Sequence, residues 1–243
     1  MVRRQVSLIV AAGGLPSARA ATAATSTIPI LFVAGFDPLK LGLVNRLDRP
    51  GGNATGLSIY TTELLAKRLE FLREMVPRTN LIALLVNAQS PAADVEAGDM
   101  EGVARASRFQ LLVLQASDEG EVETAFVSAA RDRADALLIS ADPFYTTRSK
   151  QIVALAARHG LPVAYPWSQY VEIGGLMSYG PSFRWAYHEI GLYAGRILKG
   201  ASPGQLPVQL PTTFELAINQ RTAAALGFKI SRLLIARADK IVE

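Results

Sequence analysis

The sequence predicts an α/β fold with parallel sheets, divided into two halves. Three observations point there. Short apolar runs of strand length alternate with helical patterns along most of the chain. Two of those runs end in Asp-Pro, at Asp37-Pro38 and Asp142-Pro143. Half of the 243 residues are apolar and only 19% are charged, the balance of a chain that buries a sizeable core. Strict strand–helix alternation calls for parallel strands joined by crossover helices, so that both sheet faces are covered. An Asp before Pro sets a capping carboxylate ahead of a first helical turn, where Pro has no N–H to lose. Ligands of open α/β sheets bind at the carboxyl edge where such corners lie.

The elements follow in order. Residues 6–12 read as a strand ending at Gly13-Gly14, and Pro16 opens a small-residue helix over 17–24. A second strand, 28–34, is parallel and adjacent to the first, because the helix between them allows only a tight crossover. Asp37-Pro38 starts a helix to about residue 47, the turn-rich stretch 48–53 follows, and 54–58 is a short strand. From 62 to 75, Leu65, Leu69, Leu72 and Met75 recur at helical spacing, with Lys67, Arg68 and Glu70 assigned to the solvated face. Strands at 81–87, 109–115, 136–140, 162–165 and 175–179 then alternate with helices at 92–107, 119–133, 145–159 and 182–199. Gly160 and Gly200 stand where helix C-caps are wanted. The Pro-rich segment 203–211 reads as a linker, followed by a strand at 214–219, a short helix at 220–226 and a mixed tail.

Composition excludes several functions. There is no cysteine, hence no disulfide, thiolate zinc site or cysteine nucleophile. The net charge of +4 is spread among acids along helices, without the basic stripe or reading module of a nucleic-acid partner. No apolar run approaches the ~18 residues of a membrane span. Gly51-Gly52-Asn53-Ala54-Thr55-Gly56 lacks dinucleotide spacing and precedes a strand, and neither a Walker-type loop nor a G-x-S-x-G elbow occurs. Of the two histidines, His159 suits a helix C-terminus and His188 has no third metal ligand nearby. An acid/base pair of Asp37 and Asp142 is conceivable chemistry, but capping accounts for both. No cofactor, metal or enzyme activity is expected.

Aromatic residues are unevenly placed. Ten of eighteen fall between Phe144 and Tyr193, and Phe144, Tyr165, Trp167 and Tyr179 sit at or just past strand carboxyl ends. A flat apolar wall there suits an apolar or aromatic small molecule.

Five segments together carry a resemblance. They are Ile28-Pro-Ile-Leu-Phe-Val-Ala-Gly-Phe-Asp-Pro-Leu-Lys-Leu-Gly-Leu-Val44, Arg49-Pro-Gly-Gly-Asn-Ala-Thr-Gly56, Ala141-Asp-Pro-Phe144, Gly174-Gly-Leu-Met-Ser-Tyr-Gly180 and Tyr193-Ala-Gly-Arg-Ile-Leu-Lys-Gly200. The chain resembles, essentially end to end, the tryptophan/tyrosine-type substrate-binding proteins of ABC importers. That resemblance implies a type I periplasmic-binding fold, two Rossmann-like lobes with parallel sheets closing on a small molecule such as an amino acid. Lobe one would comprise 1–58 plus 180–207, lobe two 59–179 plus 208–243, with hinges near 58–60, 179–181 and 207–211. By position, the ligand-binding residues would be Gly13, Gly14, Asp37, Pro38, Ser58, Asn87, Ser90, Asp142, Pro143, Phe144, Tyr165 and Tyr179. An ABC transporter permease is the implied partner and the periplasm the implied location.

The family pattern also carries a secretion signal and roughly two further strand–helix units ahead of the segment matching 6–14. Lobe one is therefore expected to be truncated. The N-terminal Arg3-Arg4 and the apolar run after it are read as fold elements, not as a signal peptide. A second expectation, from a different class, is a ligand-sensing or structural remnant forming a homodimer through the open lobe-one edge.

Overall fold

The computed structural model describes residues 4–35, 37–59, 64–76 and 79–243. In chain order the elements are β1 (Ile9–Ala11), α1 (Gly14–Ala24), β2 (Ile30–Ala34), β3 (Ala54–Ser58), α2 (Leu65–Met75), β4 (Leu81–Val86), α3 (Ala93–Ser107) and β5 (Gln110–Gln115). They continue with α4 (Glu119–Arg131), β6 (Ala136–Ile139), α5 (Pro143–Thr147), α6 (Ser149–His159), β7 (Val163–Tyr165), α7 (Ser168–Glu172) and β8 (Met177–Pro181). The last are α8 (Phe183–Leu198), β9 (Phe214–Asn219), α9 (Gln220–Ala225), α10 (Arg232–Arg237) and β10 (Lys240–Val242). Two compact units result: Met1–Tyr60 with Pro181–Thr213, and Thr61–Gly180 with Phe214–Glu243.

Unit 1 is built on a parallel sheet in the order β1-β2-β3. Successive side chains of a strand point to opposite faces, and β2 shows it. Ile30, Phe32 and Ala34 pack with Leu15 and Ala18 of α1, whereas Leu31 packs with Ile190, Tyr193 and Ile197 of α8. Gly56 lets β3 lie close to β2, since a Cβ there would stand 2.0 Å from the Phe32 carbonyl oxygen.

The segment expected as a linker is laced onto this sheet. Thr55 Oγ1 donates to the Leu206 carbonyl at 2.7 Å, Ser58 N to the Gln209 carbonyl at 2.9 Å, and Gln209 N to the Gly56 carbonyl at 2.9 Å. The Tyr193 hydroxyl donates to the Pro207 carbonyl at 2.9 Å and accepts from Gln209 Nε2 at 2.7 Å. Residues 208–213 accordingly fall in unit 1, not in the second unit. A Pro-rich stretch looks like a linker in sequence because its remaining backbone groups have no local partner; here β3 supplies one.

Unit 2 holds a seven-stranded sheet in the order β10-β9-β8-β7-β6-β4-β5, with β4–β5, β4–β6, β6–β7, β7–β8 and β9–β10 all parallel. One face is covered by α2 and α3, whose Leu69, Leu72 and Met100 pack on Leu84, Leu138 and Met177.

Three local expectations are corrected, and further short elements appear that had no reading. No helix follows Asp37: Leu39 N donates to Asp37 Oδ1 at 2.9 Å and Leu43 N to the Pro38 carbonyl, and Gly42 at φ 66° turns the chain instead of propagating a helix. The helix expected over 145–159 is two, α5 and α6, divided at Arg148 with φ −109° and ψ 19°. Helix α7 and the ordered tail, α10 with β10, were not legible as such, being too short for a periodic pattern. Arg68, assigned to a solvated face, is fully buried. The expected helix start at 62 and the hinge at Tyr60 lie outside the described residues.

Candidate functional site

In unit 2, β4 has β5 on one side and β6 on the other. Connections leaving β4 and β6 therefore diverge, and a crevice opens at their carboxyl ends, the position at which open α/β sheets bind ligands. Asn87 follows β4 and Asp142 follows β6. Across that divide Asn87 Nδ2 donates to Asp142 Oδ1 at 3.1 Å.

The corner around Asp142 is preorganised. Asp142 has extended backbone, φ −121° and ψ 139°, and its Oδ1 accepts the Phe144 N–H at 2.8 Å, with Pro143 in the first turn of α5. This is the capping arrangement expected from the sequence. Thr146 Oγ1 donates to the Asp142 carbonyl at 2.9 Å and accepts Trp167 Nε1 at 3.3 Å, tying β7's exit to the corner. Both side-chain bonds of Asp142 among the described residues use Oδ1. On the β4 side, Asn87 Oδ1 accepts Gln89 N at 3.0 Å, and Ser90 Oγ accepts Ala92 N at 3.3 Å in the turn that opens α3.

Phe144 is half-buried beside this carboxylate. The Arg148 guanidinium lies 4.0 Å from its ring centroid and pairs with Glu119 at 3.2 Å, and Tyr145 meets the ring edge-on at 5.4 Å. Such a ring, held on one side by a cation, is a stiff apolar wall.

Two other expected site residues are not presented at this edge. Tyr165 is fully buried, stacked on Tyr170 at 4.7 Å with its ring against Gly175. Tyr179 packs on Phe71 at 5.0 Å and Phe214 at 6.0 Å. In unit 1, Gly13 and Gly14 follow β1, Asp37 and Pro38 follow β2, and Ser58 ends β3, so the topology gathers all five at the carboxyl edge of that sheet. Pro38 and Ser58 are buried there, Asp37 is half-buried and Gly13 exposed.

Sequence reasoning missed a buried polar group under the unit 2 edge. Arg68 of α2 donates from Nε to the Tyr179 carbonyl at 2.9 Å, and burial holds its pKa down at about 10 against the pull of Glu96 and Tyr170. Glu96 of α3 is only 4% exposed, and burial pushes its carboxyl up to about 7 despite Arg68. The signal was present in the spacing: 68 shares the helical face of 65 and 72, and 96 that of 93 and 100. Burial likewise raises the phenols of Tyr145, Tyr165 and Tyr170 well above their ordinary value.

A cavity of about 600 Å³ lined by Val76, Asp135, His159, Pro162 and Phe228 lies at the amino end of β6 and β7, opposite this edge. His159 stacks on Phe126 at 6.4 Å, and exposed His188 faces Glu189 at 3.5 Å. Among the described residues no cluster of His, Asp and Glu could hold a metal ion, and no helix is long and apolar enough to cross a membrane.

A capped carboxylate, an amide bridge and an aromatic wall are groups that can bind a small polar molecule with an apolar part. The model of the family described as ABC transporter substrate binding protein matches residues 1–242. The chain belongs to that family. It is 28% identical over 214 residues to a tyrosine-binding protein of Clostridioides difficile, an alignment covering 88% of this chain. The chain spans 61% of the length of that relative. A conserved domain protein of Vibrio cholerae superposes with a TM-score of 0.88 at 27% identity, covering 99% of this chain and 80% of the other. A Streptococcus ABC domain in complex with L-Trp gives 0.81 at 22% identity, covering 97% and 81%. The family and the tyrosine- and L-Trp-binding relatives are binding proteins, and the fold is the periplasmic-binding-protein type expected. They lend no support to the expected homodimer, whose edge strand β1 is three residues long.

Proposed function

We propose that this chain is the solute-binding component of an ABC importer, acting outside the cytoplasm and delivering an aromatic amino acid to a membrane permease. The observation that carries the reading is the Asn87–Asp142 bridge at the strand switch point, which leaves Asp142 Oδ2 available to an α-ammonium beside the Phe144 ring. The likeness to a tyrosine-binding protein supports an amino acid with a ring. Pro143 and Ser90 shape the turns around that position. For unit 1 the corresponding proposal is a contact edge at Gly13, Gly14, Asp37, Pro38 and Ser58.

The test is a thermal-shift and calorimetric titration with L-tyrosine, L-tryptophan, small aliphatic amino acids and small organic acids. Ligand at a hundred times its Kd should stabilise the protein by about 2.7 kcal/mol. A flat response to every amino acid would reject the reading.

A further inference from the structure

Arg148 stands at the break between α5 and α6, and its guanidinium is held by three partners. The guanidinium carbon lies over the Phe144 ring, 4.0 Å from the centroid. Nε pairs at 3.2 Å with Glu119, the first residue of α4, and Nη1 donates to Thr147 Oγ1 at 3.0 Å. Glu119 is itself tied to α6, because Gln151 Nε2 donates to its carbonyl at 3.2 Å. The Arg148 side chain is 31% exposed, so its contact with the ring is partly withdrawn from water, which strengthens a cation–ring attraction.

The ring is fixed as well as the cation. The Phe144 N–H donates to Asp142 Oδ1 at 2.8 Å, its carbonyl accepts from Arg148 Nη1 at 3.5 Å, and Tyr145 meets the ring edge-on at 5.4 Å. Phe144 nevertheless stays only half-buried. An aromatic ring is negative on its faces and positive at its edge, so two stacked rings repel through their faces. A guanidinium on one face draws π density toward itself and leaves the opposite face less negative. That face accepts a stacked electron-rich ring more readily than an unpolarised phenyl would.

We propose that Arg148 is a specificity-determining positioning residue: acting through the Phe144 ring, it makes the wall beside Asp142 selective for an electron-rich ring, an indole or a phenol, over an electron-poor ring of the same shape. Its selectivity among amino acids rests on the function proposed above. The seat of the guanidinium on the ring and the stacking of a free indole do not.

The experiment compares wild type with Arg148→Met, which keeps an unbranched chain without the charge. Affinities for L-tryptophan and for tryptophans carrying one to four ring fluorines are measured by calorimetry. The size and apolarity of fluorine act on both proteins alike and cancel in the ratio of their affinities, whereas the charge behind Phe144 does not. The wild-type advantage should fall by about threefold or more from unsubstituted to tetrafluorinated tryptophan, and Arg148→Lys, which keeps a charge, should show a fall of the same sign. A ratio constant across the series overturns the proposal and leaves the functional reading standing. The same comparison with free indole and tetrafluoroindole, read from the Phe144 ring signals by NMR, needs no ammonium on the ligand. If no amino acid binds, the functional reading fails and the indole pair decides the proposal; indoles that leave Phe144 unmoved overturn it. A third measurement needs neither a ligand nor a folded Arg148→Met. The seat over the ring should displace the Arg148 Nε–H proton upfield, and Phe144→Leu should abolish the displacement. A signal indifferent to Phe144→Leu overturns the proposal.

Discussion

Asn87 and Asp142, 55 residues apart, meet at 3.1 Å across the place where the strand order of the seven-stranded sheet reverses. The bridge joins the exit of β4 to the exit of β6, and the same carboxylate oxygen caps α5. One aspartate therefore orders both walls of the crevice through a single carboxylate oxygen.

The two duties of Asp142 separate by mutation. Asp142→Asn keeps a side-chain acceptor for the Phe144 N–H, so its stability cost should stay within about 1 kcal/mol. Loss of the charge should weaken binding of an amino acid by roughly 10- to 100-fold, the worth of one charged hydrogen bond. Urea denaturation and calorimetry on one preparation check both.

Arg68→Met removes the donor to the Tyr179 carbonyl and the counter-charge of Glu96. Leaving the part-buried Tyr179 carbonyl without its donor costs about 1–3 kcal/mol. The loss should be smaller at pH 5, where Glu96 is neutral in both proteins, than at pH 8. Denaturation midpoints at the two pH values measure the difference.

The Glu96 carboxyl lies at about 7 in the folded chain against an ordinary 4.5. A folded-state pKa raised above the unfolded one means that the native state binds the extra proton. Its contribution to stability is complete below about 4.5 and is lost as pH rises to about 7, with a slope of at most ~1.4 kcal/mol per pH unit. The stability of wild type minus that of Glu96→Gln, measured from pH 4 to 8 by urea unfolding, should fall over that window and level off above it.

Gly180 and Gly191 make a contrasting pair. A methyl group on Gly180 meets the Pro166 carbonyl, so Gly180→Ala should destabilise by about 2 kcal/mol or more. Gly191, inside α8, has open space around an added Cβ, and Gly191→Ala should stabilise by about 0.5–1 kcal/mol. Thermal unfolding of the two variants should move in opposite directions.

Tyr193→Phe removes a hydroxyl that both donates to Pro207 and accepts from Gln209. The cost should be about 1–2 kcal/mol. Cleavage by a protease should rise selectively at 203–211, whereas a true linker would be cut equally in both proteins.

The alternation of strands and helices, the Asp142-Pro143 cap and the αL glycine Gly160 were legible because each is decided by neighbours within a few residues. The Asp37 helix failed although its motif matched that of Asp142. A cap and a proline only permit a helix, and the chain after Pro38 turns at Gly42, whose left-handed φ of 66° interrupts the helical ladder, while Leu43 and Val44 still pack into the unit 1 core. Tyr165 ends β7 as expected, whereas Tyr179 lies inside β8, and the packing of α2 and α7 decides what each ring meets.

By itself the sequence determined the class of fold, the family and the capped carboxylate at Asp142, all carried by periodicity, turn chemistry and a set of local motifs. Only the tertiary structure decided that β4 lies beside β6, that Asn87 reaches Asp142, that Arg68 and Glu96 are both buried, and that 203–211 is bound to β3. Strand order and the burial of a charge depend on the summed packing of segments far apart in the chain, and no local pattern encodes that sum.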